Sequence, residues 1–109
     1  MDALTVVAEP RRREILGLIW DEELPAGAIA AHFKVTFGAV SQHLGVLRGA
    51  GFVRVRKEGN RRYYSADKEA LGLLRPVLEA MWADTLDRLV DAIEVDERSA
   101  SIEPGGTPA

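Results

Sequence analysis

Apolar residues recur at helical spacing along most of the chain and predict six helices. These helices are expected at about residues 2–8, 10–20, 25–33, 37–50, 67–75 and 76–97. Proline lies in the first turn of three of them, where its missing N–H costs no helical hydrogen bond. The last helix is the longest, and its apolar stripe is longer than the core of a 109-residue monomer can cover.

The helix between Thr36 and Gly51 has one apolar side and one nearly bare side. Its buried stripe is formed at i, i+4 and i+7 by Val40, Leu44 and Leu47. The opposite side carries little side-chain bulk and consists of Gly38, Ser41, Gln42, Gly45 and Gly49. Each glycine inside a helix costs about 1 kcal/mol relative to alanine, which indicates a need for close approach, although simple tolerance at a surface is an alternative. Thr36 suits the N-cap and Gly51 the left-handed residue after the helix.

Residues 52–65 predict a β-hairpin with a cationic tip. Apolar and basic residues alternate over residues 52–57, residues 58–60 (EGN) suit a turn, and residues 61–65 form the returning strand. A bare-faced helix followed by a basic hairpin is typical of a winged helix-turn-helix, in which the helix enters the DNA major groove and the hairpin lies along the backbone. The expected fold class is therefore mainly α with a small β-hairpin.

Composition favours a single globular domain and limits its chemistry. The hydrophobic fraction is 47%, and the chain contains no cysteine, which excludes disulfides, thiol nucleophiles and thiolate metal ligands. No apolar run approaches the roughly 18 residues of a membrane span, and no signal peptide is evident, so a cytoplasmic location is expected. There is no nucleophile with a base, phosphate-binding glycine loop or spaced acid pair, so no enzyme is expected.

The distribution of charge favours DNA binding more than the formal net charge of −3 suggests. Residues 34–66 contain seven basic residues and one acid, a local charge of +6, whereas residues 67–109 contain four basic residues and ten acids, a local charge of −6. Attraction to phosphates decays over about 8 Å at physiological salt, so the local patch decides binding. The acidic part is expected to point away from DNA.

Three separated motifs resemble the ArsR/SmtB family of bacterial transcriptional repressors. They occupy residues 9–16 (EPRRREIL), 40–53 (VSQHLGVLRGAGFV) and 58–64 (EGNRRYY), and the likeness extends over roughly residues 3–95. The resemblance implies a dimeric winged helix-turn-helix repressor whose first helix packs in the dimer interface. A mild departure is Glu9, where the family usually has Asp.

A second departure from the resembled family concerns metal sensing. Metal-responsive members carry cysteines in the helix after the arginine-rich start, or His and carboxylates on the last helix, and this chain has neither set. Without His or Cys nearby, four carboxylates on the last helix are interpreted as a solvated acidic face: Asp84, Asp87, Asp91 and Glu94. No metal or other cofactor is predicted, and an inducer, if one exists, would be a non-metal small molecule.

Gln42 is the leading candidate for a base contact, because its amide can bond N6 and N7 of adenine in the major groove. The full predicted DNA-binding set is Thr36, Gly38, Ser41, Gln42, Gly45, Arg54, Arg56, Lys57, Asn60, Arg61 and Arg62. His43 flanks the buried stripe and is interpreted as structural, hydrogen-bonded at the helix-turn-helix joint. For Arg11, Arg12 and Arg13, a solvated or ion-paired helix start is favoured over phosphate contact.

The long last helix predicts a homodimer, since two copies could cover each other's apolar stripes. The predicted interface comprises Leu4, Val7, Leu78, Trp82, Leu86, Leu89 and Ile93. The alternative is that the helix packs only on its own domain. Trp20 and Trp82 suit core packing better than a small-molecule site. The predicted domain covers residues 1–97, and residues 98–109 predict a disordered tail.

The function that these patterns favour is a sequence-specific DNA-binding transcriptional regulator. Its expected form is a homodimeric repressor with two DNA-binding helices about 34 Å apart on an inverted-repeat operator. The alternative from another class is a winged-helix protein-interaction module that does not bind DNA.

Overall fold

The computed structural model describes the backbone of residues 1–102 and the side chains of residues 1–84 and 88–93. In chain order its elements are α1 (Ala3–Ala8), α2 (Pro10–Leu18), α3 (Ala26–Phe33), α4 (Phe37–Gly49), β1 (Val53–Glu58), β2 (Arg61–Ala66), α5 (Lys68–Leu71) and α6 (Leu74–Ile102). The chain divides into two compact units, Met1–Arg75 and Pro76–Ala109. No helix in the described part of the chain is long and apolar enough to cross a bilayer.

The first unit is a winged helix-turn-helix, which confirms the predicted fold class. Its core contains apolar residues from all five helices and the hairpin, among them the fully buried Ile15, Leu16, Ile19, Ile29 and Leu47. The two strands of the hairpin pair antiparallel. Burial of a stripe from each element on this one core fixes α3 and α4 against each other and against the hairpin.

Backbone hydrogen bonds tie the hairpin to the helices. Leu24 and Tyr64 form an isolated antiparallel bridge with N···O distances of 3.1 and 2.9 Å. The backbone N–H of Ala66 also donates to the carbonyl of Ile19 at 3.0 Å. The base of the hairpin is therefore attached to the segment between α2 and α3.

Four helices of the first unit begin with a side-chain cap. A carboxylate or hydroxyl oxygen accepts a hydrogen bond from a backbone N–H of the first turn at Asp2, Glu9, Thr36 and Asp67. The exception is α3, which follows Pro25 and has no side-chain cap. The predicted N-cap at Thr36 is confirmed, with its Oγ1 3.1 Å from the backbone nitrogen of Ala39.

Several helix ends differ from the prediction. The α2 helix ends at Leu18 rather than near residue 20, and α5 ends at Leu71, before a left-handed Gly72 with φ +55°. The α6 helix continues to Ile102, beyond the predicted end at residue 97, because no proline or glycine interrupts the chain between Pro76 and residue 104. Residues 103–109 of the predicted disordered tail lie outside the described residues.

Replacing Thr36 with alanine is expected to lower the free energy of unfolding by about 1 kcal/mol, because an N–H in the first turn of α4 loses its acceptor. Urea denaturation at one fixed protein concentration measures the change. The matched control is Thr36→Ser, which keeps the hydroxyl and should retain most of the stability. Equal stability of the alanine variant and the natural protein would contradict the capping role.

Candidate nucleic-acid interface

The bare side of α4 is open to solvent. Val40, Leu44 and Leu47 are buried as predicted, and the opposite side is exposed at Gly38, Ser41, Gln42, Gly45 and Gly49. Among the described residues, a Cβ at Gly38, Gly45 or Gly49 would meet no atom within 4 Å. These glycines therefore serve no packing within the described part of the protomer, and the backbone on this side can approach an external partner closely.

The turn before α4 sets its direction relative to α3. Lys34 adopts a left-handed conformation with φ +57°, and the N–H of Val35 donates to the carbonyl of Ala30 at 3.1 Å. After the helix, Gly51 has φ +84°, which confirms the predicted left-handed residue. The chain thus enters and leaves α4 through two fixed left-handed turns.

The strand register divides the hairpin side chains between two faces. Successive residues of a strand point to opposite faces, and Val55 pairs with Tyr64, Lys57 with Arg62. One face therefore carries Val53, Val55, Lys57, Arg62, Tyr64 and Ala66, and the other carries Arg54, Arg56, Glu58, Arg61, Tyr63 and Ser65. The basic residues predicted to contact DNA do not all lie on one face.

Two of these basic residues are held in ion pairs within the protomer. Arg54 Nε lies 3.2 Å from Asp67 Oδ2, and this contact lowers the pKa of Asp67 below its usual value. Arg56 lies 2.9 Å from carboxylate oxygens of both Glu23 and Glu58. Each of these two arginines therefore faces an acid on its own protomer.

An open groove of about 540 Å³ separates α4 from the hairpin tip and the start of α3. It is lined by Pro25, Ala26, Gly27, Phe37, Ser41, Leu44, Gly45, Arg48, Asn60, Arg61, Arg62 and Tyr64. Five of the predicted DNA-binding residues, Ser41, Gly45, Asn60, Arg61 and Arg62, come together here. Thr36, Gly38 and Gln42 lie outside the groove, exposed at the start and on the bare side of α4.

Seven lining residues were not predicted from the sequence as DNA-binding, among them the exposed Phe37 and Arg48. Arg48 follows Ser41 by seven residues, which places both on the same side of α4, and this spacing is visible in the sequence. Within the described residues, Arg48, Arg61, Arg62 and the neighbouring Lys57 make no ion pair. Their positive charge is therefore available to an external anion.

The comparison with known proteins decides the family. Residues 9–55 match the family described as bacterial regulatory protein, arsR family. Over 65 residues the chain is 34% identical to the transcriptional repressor SdpR of Bacillus subtilis, covering 60% of this chain and 72% of that protein. The chain belongs to the arsR family. It is accordingly a DNA-binding transcriptional regulator, and transcriptional regulators are not enzymes.

Solved structures agree with this arsR-family assignment. A possible transcriptional regulator for arsenical resistance is 44% identical, with a TM-score of 0.64 over 84% of this chain and 96% of that one. A homodimeric winged helix-turn-helix DNA-binding domain from Mycobacterium bovis, a possible ArsR-family regulator, is 28% identical, with a TM-score of 0.66 over 75% of this chain and 76% of that one. Both structures share the fold of this chain, and the second is described as a DNA-binding domain.

The arginine-rich start of α2, which lies within the residues matched to the arsR family, contacts neighbouring elements of the protomer. Arg12 Nε donates to the carbonyl of Val6 at 2.6 Å, and Arg13 Nη1 donates to the carbonyl of Val7 at 2.8 Å. The Arg11 guanidinium lies 5.0 Å from the centroid of an aromatic ring in α3. Arg11 also makes the predicted ion pair, with Glu14 at 3.3 Å, whereas Arg12 and Arg13 are half-buried and bond carbonyls of α1 instead of being solvated.

His43 belongs to α4, and its side chain lies near Glu9, the N-cap of α2, rather than at the turn between α3 and α4. Its Nε2 is 3.9 Å from Glu9 Oε2, too far for a hydrogen bond, and its buried Nδ1 has no hydrogen-bond partner among the described residues. The predicted hydrogen bond at the helix-turn-helix joint is therefore wrong. Glu9 is committed to the start of α2, because its carboxylate accepts from the N–H of Arg11, and this bond lowers its pKa.

The residues predicted for dimerisation differ in exposure within each unit. In the first unit Leu4 is 70% exposed and Val7 is buried. In α6, Leu89 and Ile93 are more than half exposed, Trp82 is half-buried and Leu78 is buried. The side chain of Leu86 lies outside the described residues. Among the described residues no group of three or more His, Asp or Glu side chains is placed to hold a metal.

Proposed function

We propose that the protein is a homodimeric repressor that binds an inverted-repeat operator and blocks a promoter. The observation that carries the proposal is the open bare side of α4 next to a groove whose arginines have no ion-pair partner in the described part of the chain. A DNA duplex has a counterpart for each of these features: its major groove admits a helix, and its phosphates attract the arginines.

In this proposal α4 enters the major groove with its glycines toward the bases. Gly38 and Gly45 let the helix backbone approach the base edges, and Gln42 projects from the same side to bond adenine. Ser41 reaches a base or phosphate at the edge of the groove. Thr36 contacts a phosphate at the helix start while keeping its cap.

The hairpin tip holds the sugar-phosphate backbone. Arg48 from α4, together with Arg61 and Arg62 from the hairpin, surrounds the groove, and Lys57 and Asn60 lie at the tip beside it. Neutralising phosphates with these cations releases counterions and makes binding steeply salt-dependent. The ion pairs of Arg54 and Arg56 favour a role for those two residues in shaping the hairpin.

Dimerisation through the apolar stripe of α6, with a contribution from α1, would place two α4 helices on one duplex. Leu89 and Ile93 leave 55% and 56% of their surface exposed, and Val90 beside them leaves 50%. The homodimeric relative from Mycobacterium bovis supports the same assembly. Two-fold symmetry of the protein requires an inverted repeat in the operator. Such a regulator would work in the cytoplasm, where the DNA is.

Selection of bound fragments from a pool of random duplexes tests the proposal. The expected result is an enriched inverted repeat, bound more tightly than its single half-site, with affinity that falls steeply between 50 and 200 mM salt. A reporter placed behind that sequence should be repressed by the intact protein. Indifference to DNA at low salt would favour the protein-interaction module instead, and a stimulated reporter would contradict repression.

Replacing Gln42 with alanine is expected to relax base preference at one or two operator positions. The loss of an amide bonded to adenine is worth about 1–3 kcal/mol of discrimination against the wrong base. Competition between the selected operator and single-base variants measures the change, with Gln42→Glu as a variant of similar size that cannot donate to adenine. If the alanine substitution weakens binding to all sequences equally, Gln42 contacts no base.

A further inference from the structure

Phe37 is the one large apolar side chain that is exposed between residues 5 and 72. Its exposed fraction is 62%, whereas the other two phenylalanines of the chain are buried or half-buried. No ring or cation among the described residues packs on it. A single exposed apolar side chain is common on protein surfaces, so only the position of Phe37 can indicate a function.

Phe37 occupies the leading end of the helix assigned to the major groove. It is the first residue of α4, and helical side chains tilt toward the N-terminus, so its ring extends beyond the start of the helix. On a helical wheel Phe37, Ser41 and Arg48 fall within about 40° of one another, and all three line the groove facing the hairpin. The N-terminal residues of such a helix are those that contact base edges.

We propose that Phe37 contacts the 5-methyl group of a thymine in the operator and makes the protein select thymine at that position. The proposal rests on the DNA-binding function proposed above and adds a specificity-determining residue to it.

Among the groups that the major groove presents, the thymine methyl is the apolar one, and contact with an apolar side chain is how proteins recognise it. A phenyl ring can donate and accept no hydrogen bond, so it suits neither the polar base edges nor the phosphates. The phosphates are matched instead by Arg48 and the hairpin arginines around the same groove.

Deoxyuridine supplies the test, because it keeps every hydrogen-bonding group of thymine and lacks only the methyl. Each thymine of a duplex selected by the natural protein is replaced in turn by deoxyuridine, and affinity is measured by fluorescence anisotropy. At one symmetry-related pair of thymines, the replacement is expected to weaken binding roughly fourfold per half-site, the factor that corresponds to one buried methyl group. For the Phe37→Ala variant, the ratio of the affinity for the thymine duplex to that for the deoxyuridine duplex should fall to about one.

Two further variants separate a methyl contact from a general loss of affinity. Phe37→Leu keeps an apolar side chain and should retain part of the ratio. Arg48→Ala removes a phosphate contact and should weaken binding to both duplexes equally, which leaves the ratio of their affinities unchanged. Circular dichroism checks that each variant is folded, as expected for a substitution at an exposed residue.

The outcomes separate this proposal from the function on which it rests. If the natural protein binds its selected duplex but no deoxyuridine substitution matters, Phe37 reads no methyl group while DNA binding stands. The same conclusion follows if Phe37→Ala lowers affinity yet keeps the ratio. If the natural protein binds no duplex at low salt, the DNA-binding function itself fails and the role of Phe37 fails with it.

Discussion

Replacing Arg61 and Arg62 with alanine is expected to weaken binding to every duplex, specific or not, by about a hundredfold near physiological salt. The dimer loses four cations that have no ion-pair partner in the described part of the chain. Each phosphate contact contributes about 0.9 to the slope of log affinity against log salt, so the slope should flatten by about 3 to 4. Anisotropy titrations on the selected operator and on random duplex, across a salt series, measure both effects.

The matched control is the double replacement of Arg54 and Arg56 with alanine, which removes the same charge from the same hairpin. Both residues are already paired with carboxylates of their own protomer, so the salt slope should change by less than one. Equal loss of affinity and slope in the two double variants would show that ion pairing within the protomer does not decide which hairpin arginines contact DNA.

Replacing Leu89 with glutamate is expected to convert the dimer to monomers at micromolar concentration and to abolish tight operator binding. Two symmetry-related carboxylates would be buried without partners in an apolar interface, at a cost of about 3–5 kcal/mol, which raises the dissociation constant by at least a hundredfold. Sedimentation equilibrium measures the oligomeric state. A monomer has one α4 helix and cannot occupy both half-sites.

Ala80→Glu is the control for this change. Ala80 is exposed and lies on the side of α6 opposite the stripe of Leu89 and Ile93, so the same charge should leave the dimer intact. A Leu89→Glu protein that remains dimeric would place the interface elsewhere. Dissociation by both variants would mean that added negative charge, rather than its position, destabilises the dimer.

The features that the sequence predicted well depend on local signals. The cap at Thr36, the left-handed Gly51 and the turn at residues 59–60 are each specified by one or two residue types, and all are present. The buried stripe of α4 follows from helical periodicity alone. The continuation of α6 to residue 102 was missed because its acidic and serine-rich end is polar, although it contains no residue that breaks a helix.

The site itself was only partly predictable, because ion pairing joins residues far apart in the chain. Arg56 meets Glu23 across 33 positions, and nothing in the alternating pattern of the hairpin distinguishes it from Arg62, which has no such partner in the described part of the chain. Phe37 was not predicted because helical spacing places it beside the buried Val40 and Leu44, three and seven residues further on, so periodicity alone does not show that it is exposed.

The bridge between Leu24 and Tyr64 has a consequence for control of this regulator. It joins the returning strand of the hairpin to the residue just before Pro25, the N-cap of α3, so backbone hydrogen bonds hold the hairpin and the helix-turn-helix as one preorganised block. A preorganised block loses little conformational entropy when it docks. We therefore expect that an effector, if one exists, acts by changing the angle between the two halves of the dimer, because the arrangement inside each half is already set before DNA is bound.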